Sequence, residues 1–151
     1  KMKVKTLFSI LIMVVTPLTA VMSACRDNEP WGELPSEISE FIAQYFPNSG
    51  IEDFSESATT YHVRIINGPG LTFNKKCEWE AVNGYGMPLP QVLLFDRLPP
   101  SLYSYLEETE NLGNVFSIER DRTTYTVVLL NETLSYDVAT EQITGSNRVR
   151  A

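Results

Sequence analysis

Apolar residues near the start of the sequence recur at the spacing of an α-helix. They are Leu34, Ile38, Phe41, Ile42, Tyr45 and Phe46. These positions lie on one face when the chain turns once every 3.6 residues. Pro35 sits near the first helical position, where its missing N–H costs nothing, and Pro47 ends the predicted helix.

The pattern then changes from helical spacing to strict alternation. It is clearest in Tyr61-His62-Val63-Arg64-Ile65, which is typical of a half-buried strand. Asn67-Gly68 follows as a hairpin signal. Turn residues divide this part of the chain into four predicted strands, at about 51–56, 60–66, 70–74 and 78–82.

The same series of elements recurs at an offset of 64 residues. Leu34-Pro35 returns as Leu98-Pro99, and the alternating strand at 61–65 returns at 125–129. One residue is lost in the second turn, so that Leu71 matches Leu134 at an offset of 63. An ordered set of matches with one gap indicates an internal repeat. The second copy predicts a helix at about 99–110 and strands at about 114–120, 123–130, 133–138 and 141–145.

These patterns predict an α+β fold built from two tandem repeats, each with one helix and a four-stranded antiparallel meander. The two meanders join into one sheet with the helices on one face. The first repeat is predicted at 34–83 and the second at 98–146. Between them, 84–97 is a linker rich in Gly and Pro, in which Leu89 to Phe95 can add a short helix.

The residues before the first repeat have the features of a secretory signal peptide. A basic start is followed by an apolar run at 6–15 and by small residues up to Ala24. The alternative is an uncleaved membrane anchor from Thr6 to Ala24, but Pro17 interrupts that run. We therefore predict a signal peptide at 1–24.

Met22-Ser23-Ala24-Cys25 resembles the lipobox of bacterial lipoproteins. That resemblance implies a lipid on Cys25, which would attach the protein to a membrane without a spanning helix. Residues 25–33 then form a tether. The expected location is the cell envelope. The protein would be an outer-membrane lipoprotein that faces the periplasm or the cell surface.

Composition and motifs exclude several classes of function. The formal net charge of −7 disfavours nucleic acid. One His rules out a multi-His zinc site, no calcium-loop or phosphate-loop motif is present, and neither a metal nor a cofactor is predicted. Cys77 with His62 as base is the one pair that could support an enzyme. We favour a role for Cys77 in a turn or in the core, and we expect His62 to be exposed. The sequence therefore predicts no catalytic residue and no enzymatic activity.

Three motifs together resemble the PepSY-like lipoproteins, which are similar in fold to the secreted β-lactamase-inhibitor protein. They are Leu-Pro…Ile…Phe-Ile…Tyr-Phe-Pro, Tyr-x-Val-x-Ile-x-Asn-Gly and Phe-Asn…Glu-Trp. The resemblance covers 34–145 and implies an exported two-repeat domain with a curved sheet. The sequence departs from the family at Cys77, where a Gly is common, and at 107–110, where Tyr-Phe-Pro is missing. No inhibitory loop can be matched residue by residue.

Alternation also predicts which side chains point away from the helices. They are His62, Arg64 and Ile66 in the first repeat and Thr126, Val128 and Leu130 in the second. Val128 and Leu130 are apolar, although the face that contacts water normally carries polar residues. Exposed apolar residues are typical of a contact surface. We predict that this face binds a protein, peptide or glycan, in an inhibitor-like manner or otherwise. The alternative is a structural lipoprotein in which the face is covered by the other half or by a second copy, as in a homodimer.

Overall fold

The computed structural model describes residues 34–147. The predicted signal peptide, Cys25 and the tether lie outside these residues. In chain order the helices and strands are α1 (Ser36–Tyr45), β1 (Ile51–Glu56), β2 (Thr60–Ile65), β3 (Gly70–Asn74), β4 (Trp79–Asn83), α2 (Gln91–Arg97), α3 (Pro100–Glu108), β5 (Ser117–Arg120), β6 (Thr124–Val128), β7 (Glu132–Asp137) and β8 (Ile143–Asn147). None of the helices in this range is long and apolar enough to cross a membrane.

The predicted α+β class is confirmed, because the eight strands form one antiparallel sheet in sequential order from β1 to β8. The largest departure from the predicted boundaries is at β5, which begins at Ser117 rather than near 114. A 3-10 turn at Leu112–Asn114 occupies the preceding residues. The last strand also begins two residues later than predicted, because Glu141 takes a left-handed conformation with φ 56° in the turn before it.

Helix α1 follows directly from its sequence. Pro35 precedes it in an extended conformation, and its carbonyl accepts the N–H groups of Ile38 and Ser39. The helix ends where Phe46 leaves helical geometry, and Asn48 reverses the chain with a φ of 62°. The apolar face predicted by the spacing is the face that is buried.

One continuous core holds the helices against the sheet. It combines apolar residues of all three helices with alternate residues of the strands. Val82, Ile118 and Val127 are fully buried at its centre. The helices therefore cover one face of the sheet. Because successive strand side chains point to opposite sides, the strand residues that alternate with the core residues lie on the other face.

The connections between strands lie at the two ends of the sheet. At the tight-turn end are the turns β1–β2, β3–β4, β5–β6 and β7–β8. At the linker end are the turns β2–β3 and β6–β7 and the start of the linker at 84–90. At the tight-turn end, Asp121 accepts the backbone N–H groups of Thr123 and Thr124 at 2.7 and 2.8 Å. These bonds close the β5–β6 turn.

We expect Ile118→Ala to lower the free energy of unfolding by about 2–5 kcal/mol, because it leaves a cavity at a fully buried position. Glu119→Ala is the control, because Glu119 is the next residue and its exposed side chain points to the opposite face. That change should stay within about 0.5 kcal/mol. Urea unfolding measures both. Equal losses for the two variants would contradict the proposed position of the core.

Asp121→Asn should destabilise the fold in a pH-dependent way. The backbone N–H of Thr123, then its hydroxyl and the N–H of Thr124, hold the pKa of Asp121 below its ordinary value. A carboxyl whose folded pKa is lowered stabilises the fold above its unfolded pKa, and this stabilisation is lost as pH falls through the folded pKa. Urea unfolding over a pH series should therefore show a gap between wild type and variant at neutral pH that closes in strong acid. A gap independent of pH would rule out this role.

Candidate binding face

The face of the sheet opposite the helices, here called the outer face, carries two rows of paired residues that cross all eight strands. One row is Ser55, His62, Thr72, Ala81, Glu119, Thr126, Ser135 and Thr144, and the other is Asp53, Arg64, Gly70, Asn83, Ser117, Val128, Thr133 and Ser146. None of these residues is buried. Within 34–147 the outer face is therefore open except where the ring of Tyr85 lies against Arg64 and Gly70, and half of its sixteen paired residues carry hydroxyl groups.

The first four strands carry the charged part of this face. Arg64 pairs with Glu52 at 3.4 Å and stacks over the ring of Tyr85, 4.2 Å from its centroid. His62 lies beside Arg64, with its ring nitrogens within hydrogen-bond distance of the hydroxyls of Thr60 and Thr72. These contacts fix the orientation of both side chains.

The outer residues of β6 lie on the same face but at a distance from the charged part. Thr126 shares a row with His62, and Val128 shares a row with Arg64. Four strand spacings separate β2 from β6, which corresponds to about 19 Å. The predicted binding residues thus form two separate patches on one face and line different clefts.

Ile66 and Leu130 lie just beyond the ends of β2 and β6, where the linker also passes. They are 52% and 58% exposed, and Tyr85 and Met87 of the linker are 56% and 59% exposed. Together these four residues are the apolar rim. Tyr85 and Met87 were missed from sequence because the linker was interpreted as a spacer. The available signal was two large apolar residues in a segment of Gly and Pro, where polar residues are expected.

Local backbone geometry holds the rim in place. Tyr85 and Gly86 both have positive φ, at 50° and 87°, and the N–H of Tyr85 donates to Oδ1 of Asn83 at 2.9 Å. The Tyr85 ring lies close over Gly70, where a Cβ atom would come within 2.8 Å of its hydroxyl. The glycine at this position therefore allows the aromatic ring to rest on the sheet.

Two shallow clefts open beside the rim. One, of about 330 Å³, is lined by Val128 and Leu130 together with Phe116 and Asn83. The other, of about 220 Å³, is lined by Ile66, Met87, Pro88 and Phe46. Because Phe46 follows the last turn of α1, that helix ends at the linker end of the sheet.

The beginning of α1 lies at the opposite end. Glu37 lines a cleft of about 390 Å³ with Cys77 and Trp79, which belong to the β3–β4 turn and the start of β4. The described chain therefore enters the fold at the tight-turn end, and the apolar rim lies one helix length away, about 15 Å.

The structure does not bring Cys77 and His62 together. Cys77 lies in the β3–β4 turn with a φ of 61° and packs against the core on the helix side. Burial, and then the charge of Glu37, raise the pKa of the Cys77 thiol. His62 is on the outer face. Within 34–147, no three His, Cys, Asp or Glu side chains are grouped so that they could hold a metal ion.

Comparison with solved structures shows where else this fold occurs. A protein from Bacteroides thetaiotaomicron, described as a "putative calcium-regulated periplasmic protein", is 28% identical with a TM-score of 0.65, over 76% of this chain and 91% of that one. A "putative periplasmic protein" from Bacteroides vulgatus ATCC 8482 is 24% identical with a TM-score of 0.63 over the same shares. A third protein, from the same strain and described as "of unknown function", is 22% identical with a TM-score of 0.65, over 80% and 97%. The two proteins from Bacteroides vulgatus have the same fold as this chain.

Sequence comparison gives the family. No curated protein matches the chain. The family model described as "putative beta-lactamase-inhibitor-like, PepSY-like" matches residues 59–142, from the start of β2 to the turn before β8. This match spans more than half of the 151 residues, and so the chain belongs to the PepSY-like, beta-lactamase-inhibitor-like family.

Proposed function

We propose that the protein is a non-catalytic lipoprotein of the cell envelope that binds a macromolecular partner through the outer face and the apolar rim. The observation that carries this proposal is the eight-stranded outer face, with none of its sixteen paired residues buried. Four large apolar side chains border this face at the linker end. Exposed apolar groups beside a polar surface are typical of contact sites.

The dimensions of the face favour a protein over a smaller ligand. Seven strand spacings give a width of roughly 34 Å, which is comparable to the diameter of a small domain. The clefts at the rim are shallow and small, at about 330 and 220 Å³. The charged patch around Arg64 and the apolar patch at Leu130 lie about 19 Å apart, and one protein surface can contact both.

The leader and the related structures support the proposed location. A signal peptide at 1–24 and a lipid on Cys25 would place the mature chain in the envelope, on an outer-membrane anchor. The related protein from Bacteroides thetaiotaomicron is described as periplasmic.

The direction in which the chain enters the fold fits such an anchor. Residues 25–33 can reach roughly 30 Å when extended, and they lead to the tight-turn end of the sheet. The apolar rim is at the other end, near Phe46 and Ile66. The proposed tether therefore joins the fold at the end of the sheet opposite the apolar rim.

The proposed tandem duplication explains why one face has two dissimilar patches. Ser57 accepts the N–H groups of Thr59 and Thr60, and 64 residues later Asp121 accepts those of Thr123 and Thr124. Left-handed Cys77 and Glu141 also hold equivalent places, each directly before the residue whose carbonyl accepts the N–H of the preceding strand's last residue. Equivalent turns in the two halves support a common origin, after which Arg64 and its counterpart Val128 diverged.

We expect Val128→Ser/Leu130→Ser to reduce the capture of a partner by about tenfold or more. Loss of a central apolar contact commonly costs over 1 kcal/mol, and 1.4 kcal/mol corresponds to tenfold. The measurement is affinity capture from cross-linked envelopes of the expressing cell, with quantification of each captured protein. Unfolding curves of the variant would show that its fold is retained.

The matched control for this prediction is Val92→Ser/Phe95→Ser. These two side chains of α2 are also apolar and exposed, but they belong to the helix layer. Their replacement should leave capture unchanged. If both double variants lose capture equally, or if neither loses it, the outer face and rim are not the binding surface.

The geometry also gives a test of the non-catalytic proposal. Because burial raises the pKa of Cys77, we expect iodoacetamide to alkylate this thiol more slowly in the folded chain than in urea. His62→Ala should leave the rate unchanged, since the two residues are on different faces of the sheet. Mass spectrometry of the Cys77 peptide measures the rate. Fast alkylation that depends on His62 would support the cysteine-dependent enzyme.

A further inference from the structure

The outer face has a depression near its centre, where two neighbouring strands lack long side chains. Gly70 of β3 and Ala81 of β4 are the smallest of the sixteen paired residues. The space around them, here called the central depression, has a volume of about 360 Å³. This volume lies within the range of small-ligand sites, about 300–1,000 Å³.

Polar side chains from both halves of the chain line the central depression. Arg64 and His62 of β2 stand on one side, Ser117 and Glu119 of β5 stand on the other, and Asn83 lies between them. Together these side chains offer N–H donors, a hydroxyl group, and amide and carboxylate acceptors. The lining therefore fits a ligand that both donates and accepts hydrogen bonds at several positions.

The charges of the lining favour a neutral ligand. Arg64 lies opposite Asp53 in the register of β1 and β2, and its Nε is 3.4 Å from Oε2 of Glu52. Carboxylates thus already balance the guanidinium, and Glu119 adds a negative charge on the far side. An anion would meet Asp53 and Glu119 and a cation would meet Arg64, whereas an uncharged ligand can use all of them as hydrogen-bond partners.

Tyr85 adds an aromatic surface at the margin of the central depression. More than half of this residue is exposed, and it has a φ of 50°, which is unusual for a bulky side chain. Residues held in such conformations concentrate at ligand sites. The chain thus keeps an exposed aromatic ring at a backbone position that favours glycine.

The lining side chains are held in position without a ligand. The ring nitrogens of His62 lie 2.9 and 3.2 Å from the hydroxyl oxygens of Thr60 and Thr72. Oδ1 of Asn83 accepts the N–H of Tyr85, which directs the amide group of Asn83. Side chains that are already ordered lose little conformational freedom on binding.

We propose that the central depression binds one neutral saccharide unit, with an apolar C–H face of the sugar against the exposed part of the Tyr85 ring. The sugar hydroxyls would contact Arg64, Asn83 and Glu119. A sugar ring combines such an apolar face with a border of hydroxyls that donate and accept, which matches an aromatic ring beside a mixed polar lining. A free sugar and the end of a glycan present the same chemistry. This ligand is additional to the macromolecular partner proposed above and does not depend on it.

The test is saturation-transfer-difference NMR on the purified full chain, kept in a detergent without sugar groups. The probes are the methyl glycosides of glucose, galactose, mannose and N-acetylglucosamine at millimolar concentration. We expect saturation transfer to the ring protons of at least one of them. The matching uronate, which carries a carboxylate on the same ring, should bind several-fold more weakly.

Two variants locate the site. Ala81→Leu fills the central depression without removing a polar group, and Tyr85→Ala removes the aromatic surface. Each should weaken the binding of the sugar by about tenfold, whereas Tyr85→Phe keeps the ring and should retain binding. The matched control is Ser135→Leu, which places the same side chain on β7 in the row of Ala81 and should leave binding unchanged. Urea unfolding shows that each variant retains its fold.

An absence of saturation transfer to every probe would overturn the proposal. So would equal binding by wild type, Ala81→Leu and Tyr85→Ala, or tighter binding of the uronate than of the neutral sugar. Loss of binding in Tyr85→Phe as large as in Tyr85→Ala would overturn the role of the ring. Sugar binding is measured on the purified chain and partner capture in envelopes, so failure of one proposal can be distinguished from failure of the other.

Discussion

Burial of a single face of the sheet is the constraint on which the rest of the structure depends. Val82, Ile118 and Val127 are fully buried under the helices, and their strand neighbours are consequently directed to the opposite side. A slip of one residue in any strand would exchange the two faces of that strand. The residues that form the core therefore also determine which residues lie on the outer face. The positions of His62 and Val128 follow from residues that they do not contact.

Part of this arrangement could be predicted from sequence, because local signals mark it. The bounds of β1 and β3 agree with prediction, since Asn48 and Asn67-Gly68 define the turns beside them. The last strands agreed less well, because the left-handed Glu141 and the 3-10 turn before β5 have no strong sequence signal. Alternation gave the orientation of the outer residues. It could not give the four-strand separation of Arg64 from Val128, nor the position of Tyr85, since both depend on how the two halves meet.

The two halves meet at a short junction that arginines help to hold. Strands β4 and β5 pair through only three positions, centred on Val82 and Ile118. Across this junction Arg120 donates from Nε to the carbonyl of Trp79 at 2.7 Å and stacks on its ring. In the helix layer Arg97 donates to the hydroxyl of Tyr45 at 2.8 Å and stacks beside Phe41, which joins α2 to α1. The partners of Arg120 and Arg97 described here are thus neutral oxygens and aromatic rings, although the chain is acidic.

This junction also separates the two chemically different parts of the outer face. On one side, Arg64 and His62 offer charge and hydrogen bonds, and on the other, Val128 and Leu130 offer apolar area. A partner that contacts both parts would span the three-pair junction between β4 and β5. Its binding would hold the two halves of the sheet in one position relative to each other. Charged groups on such a surface mainly set orientation and association rate, whereas apolar contacts contribute most of the affinity. For the partner proposed above, the division of the face favours a surface with a polar and an apolar part about 19 Å apart.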